Sequence, residues 1–481
     1  MKELTLGKRQ KNITLAAVFI VAGVVYCLIS LVNHYLFKTY ALDLGLYTHV
    51  MYDYCHFRID DCSMLKLEPQ NILGGHFDLY LMLLSPLVCV FGSYTLLIVQ
   101  IVAVLLGGWG MYKLLGQYTD DAFLPILAVT AFFFSFGIIH ALAFDYHSNV
   151  VAAMMLPWLL FFLKKRRFGW ATFFVVLFVI GKENTSLWLL FIAVGLMWDY
   201  RKDKKTLFYL SGYALFAVAY FVVVNMIILP KLGSNGISRY SYLGDNYLEI
   251  AKSLIMEPGK TIQVLFTNTS GLPYLDGMKK EFYLCALTSG LLFTFFKPNY
   301  LFMLIPLIAQ KMLSIDPKFW GVSFQYNVEF VPIFVISSFL VVLRLKQSNW
   351  QRIISVAIVL SVISTTFYTI RVPKRWILTD KLCVYQGQHY EQKDFNASYA
   401  RKLIRQIPED ASVCASSVFV PHLCLRPEIY DFYYTDNQRK AAYLLITTAY
   451  SNSEIKIKSL LDEYEVVETD GKVYLMKKKL E

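Results

Sequence analysis

The sequence has little charge and lacks the motifs of common soluble enzymes. Asp, Glu, Lys and Arg make up only 17% of its 481 residues, whereas soluble domains have roughly 25%. It contains no Walker loop, no GxGxxG motif that opens a predicted βα unit, and no GxSxG elbow. These absences argue against a soluble protein with a nucleotide or dinucleotide site.

The cysteines lack a metal-binding pattern. None of the eight forms a CxxC pair or a Cys/His set with zinc spacing. Cys55 with Cys62, and Cys414 with Cys424, could form disulfides if both regions face an oxidising compartment. Free thiols are the equally supported alternative.

Apolar residues, in contrast, are abundant. They make up 56% of the chain, which includes 36 Phe and 33 Tyr. Runs of near-membrane length recur from Leu15 to about Ile370, without the internal charge that the exposed face of a soluble helix needs. The chain is therefore predicted to be an all-α polytopic membrane protein, with the lipid bilayer as its main partner.

The basic residues lie in short clusters between these runs. A net charge of +11 therefore indicates topology and not nucleic-acid binding. Placing the N-terminus and the clusters on the cytoplasmic side gives about eleven crossings, with the C-terminus outside. The predicted helices cover residues 14–37, 94–115, 121–140, 148–163, 168–182, 185–199, 206–229, 282–297, 299–314, 328–345 and 351–370.

Two segments outside these crossings have a different character. Residues 38–93 form a first extracytoplasmic loop, in which the apolar but short segment 77–91 is interpreted as an interfacial or re-entrant helix. Residues 371–481 change composition abruptly and are predicted to form a small extracytoplasmic α/β domain, with strand-like runs at 412–415 and 442–447 and a terminal hairpin near Asp470. The domain prediction is thus a membrane domain, 1–370, followed by a soluble domain, 371–481.

Polar residues gather at helix ends on the predicted outer side. They are Asp43 after the first helix, His76 and Asp78 after two glycines, Asp145 and His147 between two apolar runs, and Lys182 with Glu183 in a third interruption. Each has a structural alternative, such as a helix cap for Asp43 or a mutual salt bridge for Lys182 and Glu183. Charges at the depth of Lys182 are costly unless they pair or serve a site.

This arrangement suits group transfer from a phosphate. A carboxylate at the membrane boundary can deprotonate an acceptor hydroxyl, and cations can stabilise a phosphate leaving group. Further candidates near the outer surface are Gln325 and Tyr326 for substrate, and Arg239, Lys279 and Lys280 as weaker phosphate ligands. A divalent cation such as Mg²⁺ or Mn²⁺, bound by the Asp and His side chains, is the alternative to Lys and Arg.

Four motifs resemble one membrane-protein family. They read Ala41-Leu-Asp-Leu-Gly-Leu-Tyr, Gly75-His-Phe-Asp, Phe144-Asp-Tyr-His and Gly181-Lys-Glu-Asn. In this order, interleaved with helices, they resemble the family called domain of unknown function 2079, as does the tail with Ile407-Pro-Glu-Asp-Ala-Ser-Val and Pro421-His422. The layout of that family is similar to the C-type glycosyltransferases, which include protein O-mannosyltransferases and aminoarabinose transferases.

The resemblance implies an inverting glycosyltransferase of a bacterial inner membrane. Its donor is a polyprenyl-phosphate-linked hexose or pentose, and its acceptor is a lipid, glycan or protein on the outer face. Asp43 takes the place of the acidic base, although Leu44 follows it where many relatives have a second acid. Lys182 lies where related transferases carry a lysine in an interrupted helix.

Two other functions remain open at this stage. A transporter or lipid flippase would use the interrupted helices near Lys182 and Asp145 as a midplane binding site. Polar residues confined to one side favour an enzyme over a transporter. A non-catalytic scaffold would leave Asp43 and Lys182 freely replaceable.

Overall fold

The apolar runs fold as helices, and the C-terminal region contains the strands. The computed structural model describes residues 8–59, 62–66, 71–233, 237–371, 379–433, 440–450 and 453–479. The chain divides into two units. The first unit contains Met1–Tyr26, His76–Asp78 and Gln100–Leu382, and the second contains Cys27–Gly75, Leu79–Val99 and Cys383–Glu481.

The helices up to residue 382, apart from those wholly within the second unit, follow one another with short connections. Their bounds are Lys8–Tyr35, Thr95–Leu115, Phe123–Phe133, Phe136–Ala143, Ser148–Ala153, Met155–Lys164, Phe168–Ile180, Thr185–Asp199, Lys204–Phe221, Leu229–Lys231, Tyr247–Met256, Pro258–Phe266, Met278–Ala286, Leu292–Thr294, Pro298–Met303, Ile305–Met312, Phe330–Val342, Ser348–Arg371 and Thr379–Leu382. Wider π-type turns lie at Val222–Ile228 and Leu287–Leu291.

Several helices are long and apolar enough to cross a membrane. In the described parts of the chain these are Arg9–Tyr35, Tyr80–Leu115, Lys204–Lys231 and Ser348–Arg371. Phe123–Phe133 and Phe136–Ala143, bent by 41°, make a fifth if they form one span. Every segment predicted to cross is helical over most of its length, but the count of eleven crossings stays a prediction.

The second unit contains the first loop and the C-terminal sheet. Its helices are Leu46–Cys55, Tyr80–Leu84, Val88–Phe91, Ala397–Ile404, Val420–Leu423 and Ser453–Leu460. The segment predicted to be interfacial, residues 77–91, thus contains two short helices separated by a 3₁₀ turn at Ser85–Leu87. The interpretation of this segment as an interfacial or re-entrant helix stays a prediction.

The small C-terminal sheet confirms the predicted strands and hairpin. Its strands are β1 Val413–Ala415, β2 Ile429–Asp431, β3 Tyr443–Thr447, β4 Tyr464–Thr469 and β5 Val473–Lys478. They lie in the order β2-β1-β3-β5-β4. β1 is parallel to β2 and β3, whereas β5 is antiparallel to β3 and β4.

Side chains from the strands and from the helix Ser453–Leu460 form the core of this sheet. Leu444 and Ile446 of β3 pack with Met476 of β5 and Ile457 of the helix. All eight cysteines are free thiols. The structure therefore has the free-thiol alternative for Cys55 with Cys62 and for Cys414 with Cys424. The predicted domain boundary at residue 370 adjoins residues 372–378, which lie outside the described residues, and it stays a prediction.

Candidate active site

The turn that carries Lys182 interrupts two helices of the first unit. Breaking a helix in apolar surroundings frees backbone carbonyls that need donors. The hydroxyl of Thr185 donates to Lys182 O at 2.6 Å, and that of Ser186 to Glu183 O at 3.1 Å. The amide of Asn225 donates to the same Glu183 oxygen at 3.1 Å. The turn is therefore held at its backbone, which leaves its side chains available.

Glu183 joins this turn to the His76 motif. Its Oε1 lies 3.0 Å from His76 Nδ1, and its Oε2 accepts a hydrogen bond from Phe77 N at 3.2 Å. The charge of Lys182, together with burial, lowers the pKa of His76, whereas Glu183 opposes that shift. The His76 ring is thus neutral at pH 7, and the predicted mutual pairing of Lys182 and Glu183 is replaced by a contact between Glu183 and His76.

Lys182 is the electrostatic centre of the first unit's polar residues. Its charge acts on His76, His147, Glu183 and Glu329. The side chain is only partly buried. Among the residues that the structure describes, no hydrogen-bond acceptor or carboxylate lies within bonding distance of its ammonium group. A cation without a direct partner, surrounded by polar side chains, can bind an anionic ligand.

A second turn holds Asp145 and His147. Asp145 has a φ of 47°, in the left-handed region that Asp tolerates better than most residues. The buried amide of Gln100 donates to Asp145 O at 2.8 Å and accepts from His147 N at 2.9 Å. Both Asp145 and His147 are buried, and His147 Nδ1 lies 3.1 Å from Phe144 O. Gln100 fixes the turn, a role that the sequence did not reveal.

Glu329 is a buried carboxyl that the sequence analysis missed. It precedes the helix Phe330–Val342, hydrogen-bonds the side chain of Asn149, and interacts electrostatically with Lys182 and Lys311. Gly137 permits the close approach of this segment, since a Cβ there would lie 2.7 Å from Asn327 O. The signal available in the sequence was a charged residue at the start of an apolar run.

The remaining predicted residues of the first unit have varied surroundings. Asp78 is buried and acts electrostatically on Tyr220. Gln325 is buried, and its Oε1 has no hydrogen-bond partner in the described residues. The ring of Tyr326 stacks on Phe319 at 4.0 Å.

The three predicted phosphate ligands differ in exposure and in their contacts. The Lys279 ammonium donates to Val264 O and Met312 O at 2.6 and 2.7 Å, and burial lowers its pKa to about 8. Lys280 is exposed. Arg239 is exposed too, but its charge acts on His76. Arg239 is therefore the one of the three that the structure brings towards the Lys182 cluster.

Asp43 lies in the second unit, in a strained turn. Its φ of 72° and ψ of −91° are rare for any residue except glycine. Gly45 N closes the turn by donating to Tyr40 O at 3.1 Å. Such a conformation costs on the order of 1–3 kcal/mol and is found mainly at functional sites.

The C-terminal segment of the second unit supports this turn. Ala41 N donates to Ser417 Oγ at 3.1 Å. Gly45 packs so closely that a Cβ there would lie 3.1 Å from Val420 Cγ1 and 3.5 Å from Pro421 N. Two sequence motifs far apart in the chain, at residues 41–47 and 421–422, therefore meet around Asp43.

Beside Pro421, two histidine rings stack within the second unit. His422 and His34 are parallel within 9°, with ring centroids 4.2 Å apart. His34 Nδ1 lies 2.8 Å from Thr39 Oγ1, and its Nε2 lies 3.0 Å from Ser93 Oγ. Burial, followed by the charge of Arg401, lowers the pKa of His422 to about 3. The pair is a neutral packing element next to the Asp43 turn.

The described residues do not assemble a divalent-cation site. No group of three or more His, Cys, Asp or Glu side chains in that part of the chain is placed to hold a metal ion. The predicted Mg²⁺ or Mn²⁺ therefore stays a prediction.

Residues 33–476 match the family described as predicted membrane protein (DUF2079). The chain belongs to this family. No curated protein matches it.

Solved structures of ArnT from Cupriavidus metallidurans have a similar fold. The apo form has a TM-score of 0.52 at 11% identity, and the form bound to undecaprenyl phosphate has a TM-score of 0.51 at 13% identity. Both comparisons cover 96% of this chain and 97% of the other. At such low identity the likeness shows the fold and not the activity.

Proposed function

We propose that this protein is a glycosyltransferase that moves a sugar from a polyprenyl-phosphate donor to an acceptor on the extracytoplasmic face of the inner membrane. The observation that carries the proposal is the partly exposed Lys182 ammonium, which has no bonding partner among the described residues. The fold, shared with a protein solved with undecaprenyl phosphate bound, supports the same donor class.

The proposed reaction is a displacement at the anomeric carbon of the sugar. Asp43 accepts the proton from the acceptor hydroxyl. The acceptor oxygen then attacks the anomeric carbon of the sugar, and a new glycosidic bond forms with inversion. The bond between the anomeric carbon and the phosphate oxygen breaks, and its electron pair leaves with the polyprenyl phosphate.

Lys182 stabilises that leaving group. The charge that develops on the phosphate oxygen is met by a fixed ammonium in a partly desolvated site, where such an interaction is stronger than in water. Arg239, whose charge acts on His76, would add a second cation. Glu183 and His76 hold the Lys182 turn in place.

The test is mass spectrometry of lipid-linked sugars and surface glycans from a strain that lacks this gene. We expect one polyprenyl-phosphate sugar to accumulate and one surface glycan to lose the same sugar. Complementation with the wild-type gene should reverse both changes. Accumulation of the donor confined to the cytoplasmic leaflet, or no change in either pool, would contradict transfer; the first outcome would favour a flippase.

A further inference from the structure

The parallel strands of the second unit create a topological switch point. From β1 the chain passes to β2 on one side, and it then returns to β3 on the other side of β1. In open sheets of this kind, ligands bind beyond the carboxyl ends of the strands where the order reverses. Here that position is the carboxyl edge between β1 and β3.

The Asp43 turn is attached to this edge. Ser416, directly after β1, donates from its N to Leu445 O at 2.9 Å, and its Oγ accepts from Thr447 N at 3.0 Å. The next residue, Ser417, accepts the hydrogen bond from Ala41 N. The end of β1 is thus fixed to β3, and the segment leading to Asp43 is fixed to the end of β1.

Aromatic rings and carboxylates surround the same edge. Tyr433 follows β2 and Tyr450 follows β3, and their rings meet edge to face with centroids 5.4 Å apart. Tyr40, Asp394 and Asp431 all act electrostatically on Tyr450. Burial, together with these neighbours, raises the pKa of Tyr450, so that its hydroxyl remains a proton donor at pH 7.

Part of this surface is accessible. Tyr40 is 40% exposed, Asp394 is exposed, and the rings of Tyr433 and Tyr450 are only partly buried. The ammonium of Lys456 lies 5.3 Å from the centre of the Tyr433 ring. The surface therefore offers rings, phenol hydroxyls and carboxylate oxygens to a ligand.

This set of groups suits a ligand with many hydroxyls and no negative charge. Carboxylates accept hydrogen bonds from hydroxyls, phenols both donate and accept, and aromatic faces bury the apolar faces of rings. The three carboxylates Asp43, Asp394 and Asp431 outnumber the ammonium of Lys456, so the net charge of these groups disfavours an anionic ligand. Sugars have the required chemistry.

We propose that this edge, formed by Tyr40, Tyr433, Tyr450 and Asp394 beside Asp43, binds the sugar residues of a glycan acceptor. The inference rests on the proposed function, because Asp43 would take its proton from a hydroxyl of the bound glycan. It narrows the acceptor from lipid, glycan or protein to a glycan or the glycan part of a larger molecule.

The test measures binding without turnover. Full-length protein in nanodiscs is titrated with neutral oligosaccharides of mannose, glucose, galactose and N-acetylglucosamine, and contacts are followed by saturation-transfer-difference NMR. We expect at least one oligosaccharide to bind. Tyr40→Ala and Tyr450→Ala should each raise its Kd about 3- to 10-fold, since a ring contact contributes roughly 0.5–1.5 kcal/mol. Tyr385→Ala, which removes a ring that is 49% exposed, should leave the Kd unchanged.

Milder variants keep the test meaningful if an alanine variant fails to fold. Tyr450→Phe and Asp394→Asn should each weaken binding by a few-fold. Binding that ignores all four variants would place the glycan elsewhere and overturn the proposal. Failure of every oligosaccharide to bind at about 10 mM, a concentration above weak Kd values, would overturn the ligand class.

The binding test does not depend on the donor. Glycan binding that responds to these variants in a protein with no transfer activity would contradict the proposed function and retain this site. Transfer to a lipid or protein acceptor that contains no sugar would contradict the glycan site and retain the proposed function.

Discussion

The Lys182 turn and the Asp43 turn each place a charged side chain beyond an apolar helix, but by different means. At Lys182 the polypeptide is relaxed, and side chains satisfy its carbonyls. Thr185, Ser186 and Asn225 donate to them at 2.6 to 3.1 Å. The turn therefore leaves few polar groups unpaired. Unpaired polar groups cost much free energy in apolar surroundings.

The Asp43 turn is strained and is held by packing. Asp43 has a positive φ, and the residues on either side contact Ser417 and Val420 in the C-terminal segment of the same unit. Strain of this kind persists only where the surrounding structure imposes it. The comparison teaches that the proposed phosphate ligand depends on local hydrogen bonds, whereas the proposed base depends on a distant part of the chain.

The largest expected effect comes from Asp43→Asn. The substitution removes the base but keeps the size of the side chain, so transfer should fall about 10²- to 10⁴-fold. The thermal midpoint in detergent should stay close to that of the wild type. Initial rates with lipid-linked donor measure the loss. Retained activity would remove Asp43 from the mechanism.

Lys182→Ala should have the second-largest effect. Losing a charge-assisted contact of roughly 1.5–3 kcal/mol predicts an affinity for polyprenyl phosphate about 10- to 100-fold lower. Titration of the lipid into protein in nanodiscs measures it. The exposed Lys346 provides the matched control, and Lys346→Ala should bind normally. Unchanged binding by Lys182→Ala would assign that residue to structure.

Acid should destabilise the second unit through His422. Its pKa is about 3 when folded and 6.5 when free. Between these values the unfolded chain binds a proton that the folded chain excludes, so stability falls as the pH decreases. Above about pH 6.5 His422 is neutral in both states, and it does not lower the stability there.

Replacing His422 should reduce this acid sensitivity. Between pH 7 and about pH 4.5, His422 should lower the free energy of unfolding by on the order of 2 kcal/mol. The His422→Gln variant should not show this decrease. Thermal midpoints at both pH values measure the difference. His56→Gln, at an exposed ring, should show the wild-type slope. The same slope in His422→Gln would show that the stacked pair does not report on pH.

The smallest effect tests the strain itself. Asp43→Gly and Asp43→Ala both lack the carboxylate and should be equally inactive, but glycine adopts positive φ freely. The glycine variant should therefore be more stable than the alanine variant by about 1 kcal/mol. The thermal midpoints of the two variants measure this difference in stability. Equal midpoints would mean that the turn is unstrained.

Much of the architecture could be predicted because membrane helices are encoded locally. Apolar length and the position of basic clusters identified the helical segments without any tertiary information. The strands β1 and β3 and the terminal hairpin were also visible as local patterns. The strand β2 at Ile429–Asp431 was not predicted; its pairing with β1 defines it as a strand.

The site residues stay a prediction. Lys182 stands out as a charged residue inside an apolar run, whereas His76 was selected because it follows two glycines. Glu329 was missed at the start of an apolar run, and Gln100 was missed inside one. Glu329 interacts electrostatically with Lys182, and Gln100 hydrogen-bonds the Asp145 turn, and no local pattern encodes either interaction.

The sequence by itself determined that this is a membrane protein with charged turns between its apolar helices, because burial of apolar length is a local property of the chain. Only the tertiary structure decided that Glu183 pairs with His76 and that Lys182 has no bonding partner among the described residues. Only the tertiary structure joined Ala41 to Ser417. These are contacts between residues up to 376 positions apart, and folding, not local preference, brings such residues together.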